Sequence, residues 1–518
     1  MKLTSTIIAF ILLTSMLIVG VFAVKQTQFS VGGNIVFNAS GIDATISAGT
    51  LSTTGSWATG NGTGKMQEIE INTNKSSADL AEEYASWSDL DLAFNETGED
   101  VTITFKITNN STNLNDALVA YVNIDDGESS NAVASITNAG AIIDPDTDTS
   151  TNTENTETFI ITFSVLDKDV NASLKNFKIN FDLRYATVEA ESATDTTLTY
   201  DGIIYSIEEN NTISLKDAEN SPTSDIVLPA YIKSNDATYT LTALQLGSFY
   251  GMDALTSVSL PKTITVIEEG GLSHFSTAPE VIIIPSSVTS IGTGAICALT
   301  TLNRVIVDKN NGVYDSRNNC NAIIETETNT LIAGCNKTKI PNDILIIGQD
   351  AFSFCEALVS IEIPNSVKEI QDNAFWGSAL ESITIPASVE LLGAAFTYCQ
   401  SLKTVTISSN DLTVNGSVFE GTETIEKIVI SSNVNSISGE DLYSWSSYFL
   451  VVDSANILSS LTSTSACANL LNRTPKKIYV KTNIINNVSD YIKTNFRYVE
   501  TITSGEYKGY TSYSKTSN

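Results

Sequence analysis

The chain has 518 residues, of which 42% are hydrophobic, so it is too long for one ordinary core and too apolar to be disordered as a whole. Asp and Glu number 59 against 28 Lys and Arg, for a formal charge of −31. A surface that acidic repels phosphate backbones and anionic lipid; it argues against nucleic acid as a partner and leaves solubility, divalent ions or cationic partners as what the charge serves.

Lys2 is followed by the apolar run from Ile7 to Ala23, closing on Val21 and Ala23 before Val24. This is the layout of a secretory signal peptide over residues 1–23, cleaved after Ala23. The other reading is an uncleaved anchor, since the run is just long enough to span a bilayer. No second apolar span follows, so a secreted or surface-held chain with no membrane span after cleavage is expected.

Residues 24–188 read as one all-β unit. Asn34–Phe37, Val101–Ile107, Ala117–Val122, Phe159–Val165 and Phe177–Leu183 mix β-branched and aromatic residues, separated by clusters of Gly, Asn, Asp, Ser and Thr. "VTITFKITNNST" alternates apolar and polar residues, which suits a strand with one face on a core. Several such strands predict an antiparallel β-sandwich of jelly-roll or Ig-like type. Ala78–Trp87 (ADLAEEYASW) is the one segment with a helical look. On "LDLAF…GEDVTITFKITNNST" and its place behind the leader, the region resembles the camelysin/TasA-type secreted proteins. That resemblance implies a sandwich associated with matrix fibres, while a generic adhesin stalk accounts for the same residues.

A polar linker is expected at 189–199, and the character then changes over 200–453. Pro261, Pro285, Pro341, Pro364 and Pro386 each close a short apolar run. Within this set the spacings are 24 (Pro261 to Pro285), 23 (Pro341 to Pro364) and 22 (Pro364 to Pro386). An apolar residue follows the last four prolines at Ile291, Ile347, Ile370 and Leu392. A small-plus-apolar pair comes next at Ala295–Ile296, Ala351–Phe352, Ala374–Phe375 and Ala395–Phe396. A repeating unit of this length, one strand plus a turn, cannot bury its apolar side alone, so stacked units forming a solenoid are predicted. Proline ends each strand because it cannot donate a ladder hydrogen bond.

"SIEIPNSVKEIQDNAFWGSAL" and "SITIPASVELLGAAFTYCQSL" resemble the BspA-like leucine-rich repeats, and "VYDSRNNCNAIIETETNTLIAGC" resembles an insertion of a kind found in that family. The likeness covers about residues 201–453. It departs at Gly271–Leu272, which replaces the Ala-Phe pair, and after Ser408, where proline is lost. The family implies a surface protein with an adhesion or protein-binding role. Residues 454–518 read as a degenerate C-terminal cap and tail.

By the period of two, one row of outward positions on the repeat strands is Ser259, Ile283, Glu362, Thr384, Thr406 and Val429. A second is Ser257, Val281, Ser360, Ser382, Thr404 and Lys427. They are either an inert solvated face or a shallow ligand face for protein or glycan. Cys355 and Cys399 fill one slot two units apart, on the order of 10 Å, beyond the ~7 Å limit for a bridge, and are expected as packing residues. Cys320 and Cys335 flank the insertion and are the pair able to form a disulfide. Cys297 and Cys467 have no evident partner.

Little carries chemistry. The single histidine, His274, stands in "LSHF" with no nucleophile elbow, and zinc needs clustered His and Cys. "GNGTGK" at 60–65 has Met66 where a phosphate loop needs Ser or Thr. Asp144, Asp146 and Asp148 have the alternate spacing that opens an EF-hand loop, so calcium is one reading of "DPDTDTSTNTE". Thr149 and Asn155 stand in place of its Gly and Glu, and a solvated loop is the other reading. No catalytic residues and no cofactor other than that calcium are expected. The function expected is a secreted or cell-surface binding protein, not an enzyme. The alternative is a matrix component that self-associates through its N-terminal sandwich, and a secreted hydrolase is the third.

Overall fold

The computed structural model describes, with side chains, residues 104–111, 117–121, 135–144, 155–162, 183–218, 226–250, 257–273, 279, 281–439, 449–459 and most of 477–514. It also describes the backbone of further strands between Gln28 and Tyr185. The leader at 1–23, "GNGTGK", His274, Asp146, Asp148 and Cys467 lie outside the described residues.

Strands between Gln28 and Tyr185 form two antiparallel sheets, one ordered around Asp100–Asn109 and Thr156–Val165, the other around Ala172–Tyr185. In the first, Phe159 is paired with Phe105, and their rings stack at 5.3 Å. Phe105, Ile107, Phe159 and Ile161 are all buried, the alternation that one packed face requires. The expected helix at Ala78–Trp87 is corrected. Residues Glu82–Phe94 form a long strand, hydrogen-bonded to Ala172–Tyr185 on one side and Ile69–Asn72 on the other. Its sequence steps in twos through Leu90, Leu92 and Phe94, and pairing on both sides outweighs the helix propensity of the Ala and Glu before them.

The expected linker at 189–199 is also corrected. Thr187–Glu189, Ser192–Ala193 and Thr197–Tyr200 pair into a nine-stranded sheet with Ile203–Ile207, Thr212–Asp217, Tyr231–Ser234 and Ala237–Leu244. That sheet opens the solenoid. It mixes antiparallel and parallel pairs and hands over to a purely parallel ladder at Val266–Ile267 and Ser290–Ile291.

From there the repeat unit is two short strands per coil. One ladder is built from the runs that end at proline, serine or aspartate: Val281–Ile284 with Arg304–Val307, and later Ser382–Ile385, Thr404–Ile407, Lys427–Ile430 and Phe449–Val452. The other runs Ile346–Ile347, Glu369–Ile370, Leu391–Leu392, Asp411–Val414 and Ser436–Gly439. The apolar residues six places after each proline are the second residues of these two-residue strands. They supply a second sheet, where one strand and a turn were expected.

Between the ladders, the Phe of each Ala-Phe pair points inward. Phe352, Phe375, Phe396 and Phe419 form a column with ring centroids 5.1, 5.2 and 5.9 Å apart. Stacking of this kind adds about 0.5–1.5 kcal/mol per pair beyond the area it buries. Two apolar clusters run the length of the solenoid, from Leu198 to Cys335 and from Cys320 to Tyr513. Lys477–Lys481 extends the parallel ladder by one rung. An antiparallel hairpin, Phe496–Thr501 with Tyr510–Lys515, then closes its open end.

Candidate surface sites

On the proline-ended ladder, exposure alternates as a one-sided sheet requires. Ser382 and Thr384 are exposed while Ile383 and Ile385 are buried, and Thr404 and Thr406 are half-exposed over buried Val405 and Ile407. Register places Ser382 beside Thr404 and then Lys427, and Thr384 beside Thr406 and then Val429. Ser360 and Glu362 are exposed but lie in no strand, because the coil of Pro364 makes no rung of this ladder. The row is therefore broken. Ser259 belongs to a strand paired with Asp225–Val227, and Val281 and Ile283 to one paired with Arg304–Val307, whose residues are all buried.

Two structures border this face. At its far end the loop between the closing strands reaches back. Glu506 pairs with Lys427 at 3.0 Å, and Tyr507 stacks on Tyr479 at 4.1 Å. At the near end the N-terminal sheets dock against the ends of the first strands. The Tyr121 hydroxyl donates to the Leu228 carbonyl (2.5 Å) and the Lys262 amide to the Gly140 carbonyl (2.9 Å). The Asn310 side chain donates to Asn138 Oδ1 (3.0 Å). The Asp308 carboxylate, nearly inaccessible, accepts from the Ala139 amide through Oδ2 and the Asn310 amide through Oδ1, both at 2.9 Å. Burial pushes its pKa up, and the two amides and Lys262 pull it partly back. Gly140 has φ +68°, and a Cβ there would lie 2.3 Å from the Leu260 carbonyl, so only glycine admits this approach. Val119, Tyr121, Ala186 and Ala230 make the joint apolar. What stays open on the strand face is the patch around Ser382, Thr384, Thr404 and Thr406.

A second row, which pattern reading passed over, lies on the turn after each inward Phe. Phe354, Trp376 and Tyr398 follow one another up the coils, with ring centroids 4.8 and 6.5 Å apart. Backbone bonds fix the order: the Phe354 amide donates to the Trp376 carbonyl (2.6 Å), and the Tyr398 amide to Glu420 (2.8 Å). Tyr398 is 53% exposed. Phe354 and Tyr398 have φ of +56° and +54°, where bulky side chains are rare. Such strain costs about 1–3 kcal/mol per residue. At the same place in alternate coils stand Gly377 and Gly421, for which positive φ is unstrained. The ring of Phe354 lies over Gly377 and that of Tyr398 over Gly421, as close as 2.9 and 2.6 Å to a Cβ built there.

The described cysteines pack rather than bridge, Cys297 half-exposed and the other four buried. Cys320 and Cys335 are free thiols in this structure rather than a bridge. The Cys335 thiol turns to the Asn321 carbonyl (3.4 Å) and the Cys320 thiol to Ala322 (3.7 Å). The slot of Cys355 and Cys399 is buried, and it also ties coils together. The Cys399 thiol donates to the Phe375 carbonyl (3.1 Å), and one coil on the Thr422 hydroxyl donates to Phe396 (2.7 Å). Burial pushes the thiols of Cys297, Cys335 and Cys399 up to about 11. Asp144 is exposed at the end of Ala141–Ile143, and among the described residues no group of three or more His, Cys, Asp or Glu is placed to hold a metal ion.

A model of the BspA-type leucine-rich repeat region matches in six copies over residues 230–328 and 324–448. These residues are a BspA-type leucine-rich repeat region. Its units begin earlier than the five prolines suggest, since Asp225–Val227 already pairs with Ser257–Ser259. No curated protein matches the chain. Among solved structures it is similar to a leucine-rich cell surface protein from Faecalibacterium prausnitzii, at 19% identity over 48% of this chain and 96% of that one, with a TM-score of 0.32. A leucine-rich repeat protein from Eubacterium ventriosum matches at 16% identity over 62% and 100%, with a TM-score of 0.33. The pneumococcal vaccine antigen PcpA matches at 17% over 51% and 95%, with a TM-score of 0.28. Among the described residues, no helix is long and apolar enough to cross a membrane.

Proposed function

We propose that this protein is a secreted or cell-surface binding protein, non-enzymatic, that recognises an extracellular protein or glycan on the open part of its strand face. The observation that carries the reading is the in-register patch of Ser382, Thr384, Thr404 and Thr406. It is made of small polar side chains, and lies between the docked N-terminal sheets and the loop that holds Lys427. Parallel coils repeat the same outward positions at each rung, so a partner meets a regular array of hydroxyls on a rigid support, the extended kind of surface on which solenoids bind. In this reading the two N-terminal sheets pack as an antiparallel sandwich over 24–188 and present the solenoid, and a leader at 1–23 exports the chain. Adhesion is the biological form such binding takes in a surface protein of this repeat family.

The test is binding of the full mature chain to immobilised extracellular-matrix proteins and to a glycan array, beside a Thr384→Arg, Thr406→Arg double variant. Saturable binding that the variant weakens at least tenfold supports recognition on this face. Equal binding by both chains, or none by either, removes it.

A further inference from the structure

We propose that the row Phe354–Trp376–Tyr398–Glu420, on the turn side of the solenoid and apart from the strand face, is a second binding site, and that it takes a Lys- or Arg-rich peptide segment of a partner protein. Three part-exposed aromatic rings stand at one per coil, Tyr398 the most exposed of them, and Glu420 supplies a carboxylate on the fourth coil, next to Tyr398 by a backbone hydrogen bond. The turn segments 349–357, 371–379, 393–401 and 415–423 contain no Lys or Arg. They contain Asp350, Glu356, Asp372, Glu420 and Glu423. An aromatic row on turns whose charged residues are all carboxylates attracts a cation twice, through ring quadrupoles and through charge. Asp350 already reports that field: after burial, the charges of Glu269 and Asp372 hold its carboxyl above the ordinary range.

The backbone supplies the second observation. Gly377 and Gly421 show which residue relaxes this left-handed position, yet Phe354 and Tyr398 occupy it in the coils between. Packing a ring over the next glycine needs no solvent-facing indole on the coil between, but Trp376 is there, half-exposed, with its ring against both neighbours. Strained residues held by a well-packed frame belong more often to binding surfaces than to scaffolding. The charge of the rim decides between a cation and a neutral ligand. A stacked sugar would use the rings and be indifferent to the carboxylates, whereas a basic peptide uses both.

The experiment is fluorescence anisotropy of a labelled short oligoarginine peptide with the full mature chain at physiological salt, with a neutral cello-oligosaccharide as competitor. Saturable peptide binding is expected, weakened roughly tenfold by Trp376→Ala, mostly retained by Trp376→Phe, and weakened with a shallower salt dependence by Glu420→Gln. Glu191→Gln, an exposed carboxylate on the opening sheet, leaves it unchanged. Because Trp376→Ala carries a risk of misfolding, thermal melts accompany each variant, and the Trp376→Phe and Glu420→Gln pair stands without it. Binding by Trp376→Ala and Glu420→Gln equal to that of the wild type would show only non-specific attraction to an acidic chain and overturn the proposal. So would displacement by the neutral sugar. Thr384→Arg, Thr406→Arg leaves the peptide site intact, so failure of the strand-face reading and failure of this one are separable.

Discussion

Phe375 lies between two rings, stacked 5.1 Å from Phe352 and 5.2 Å from Phe396, and is fully buried. Phe375→Ala leaves a cavity in the middle of the column, with an expected loss of about 3–5 kcal/mol by urea unfolding. The same truncation at half-exposed Phe354 removes less packing and leaves the left-handed strain in place, since that strain comes from the Cβ, so its loss is the smaller of the two. Cysteine behaviour follows from burial in the same way. With Cys335 and Cys399 pushed up to about 11 and Cys320 to about 12, almost no thiolate is present near pH 8. Iodoacetamide is expected to label the buried cysteines only after unfolding, with half-exposed Cys297 first among the described residues to react in the native chain. Peptide mass mapping reads this. A Cys320–Cys335 peptide found joined under non-reducing digestion would reverse the assignment of those two as free thiols.

At the scale of elements, legibility followed periodicity. The proline runs, the Ala-Phe pairs and the apolar residue six places on are plain in the sequence, because each repeats at nearly constant spacing and each sends apolar side chains into the core, fully buried at Ile347, Ile370 and Leu392 and partly at Ile291. What they build was only half legible. A two-residue strand such as Glu369–Ile370 is too short to show alternation, and it exists because the coils on either side offer it parallel partners. The helical reading of Ala78–Trp87 fails for a related reason: the helix-forming start of Glu82–Phe94 is local, while much of the pairing that decides its state comes from residues some ninety positions on. Strand-face residues were readable where the ladder is regular, at Ser382, Thr384, Thr404 and Thr406. They were not where the coil of Pro364 drops its rung under Ser360 and Glu362. The aromatic row is not legible by residue type, because the turn position that carries Phe354 and Tyr398 holds Gly377 and Gly421 in the alternate coils, and the four share a backbone conformation rather than a chemical type. Gly377→Ala tests that shared conformation. Its φ is +65° and the new methyl meets the Phe354 ring at 2.9 Å, so a loss of about 1–3 kcal/mol in thermal or urea unfolding is expected.

Over the whole molecule, the joint between the N-terminal sheets and the solenoid decides whether the chain is two units on a tether or one body with one open face. The sequence suggested a tether; the structure shows a joint in which Asp308 of the solenoid holds the Asn138–Gly140 turn of the sheets through the Ala139 amide. Asp308→Ala would leave the buried Ala139 amide without its acceptor, at about 1–3 kcal/mol, while the amide of exposed Asn310 can turn to water. Gly140→Val would drive a side chain into the Leu260 carbonyl. Both are expected to loosen the joint, seen as new protease cleavage near residues 186–190 and a larger radius in solution scattering, while the solenoid's own unfolding changes little. The pH dependence has a definite sign. Because burial raises the folded-state pKa of Asp308 above that of the unfolded chain, its favourable contribution is complete below the ordinary carboxylate value near 3.8 and is lost as pH rises through the raised folded value. Above that window the ionised carboxylate remains as an acceptor for both amides, so the joint persists at neutral pH with that stabilisation removed. Asp308→Asn abolishes the titration while keeping one acceptor oxygen. The difference in unfolding free energy between wild type and Asp308→Asn should therefore narrow as pH rises across the window, and a difference constant with pH would show that Asp308 ionises as freely in the folded chain as in the unfolded one.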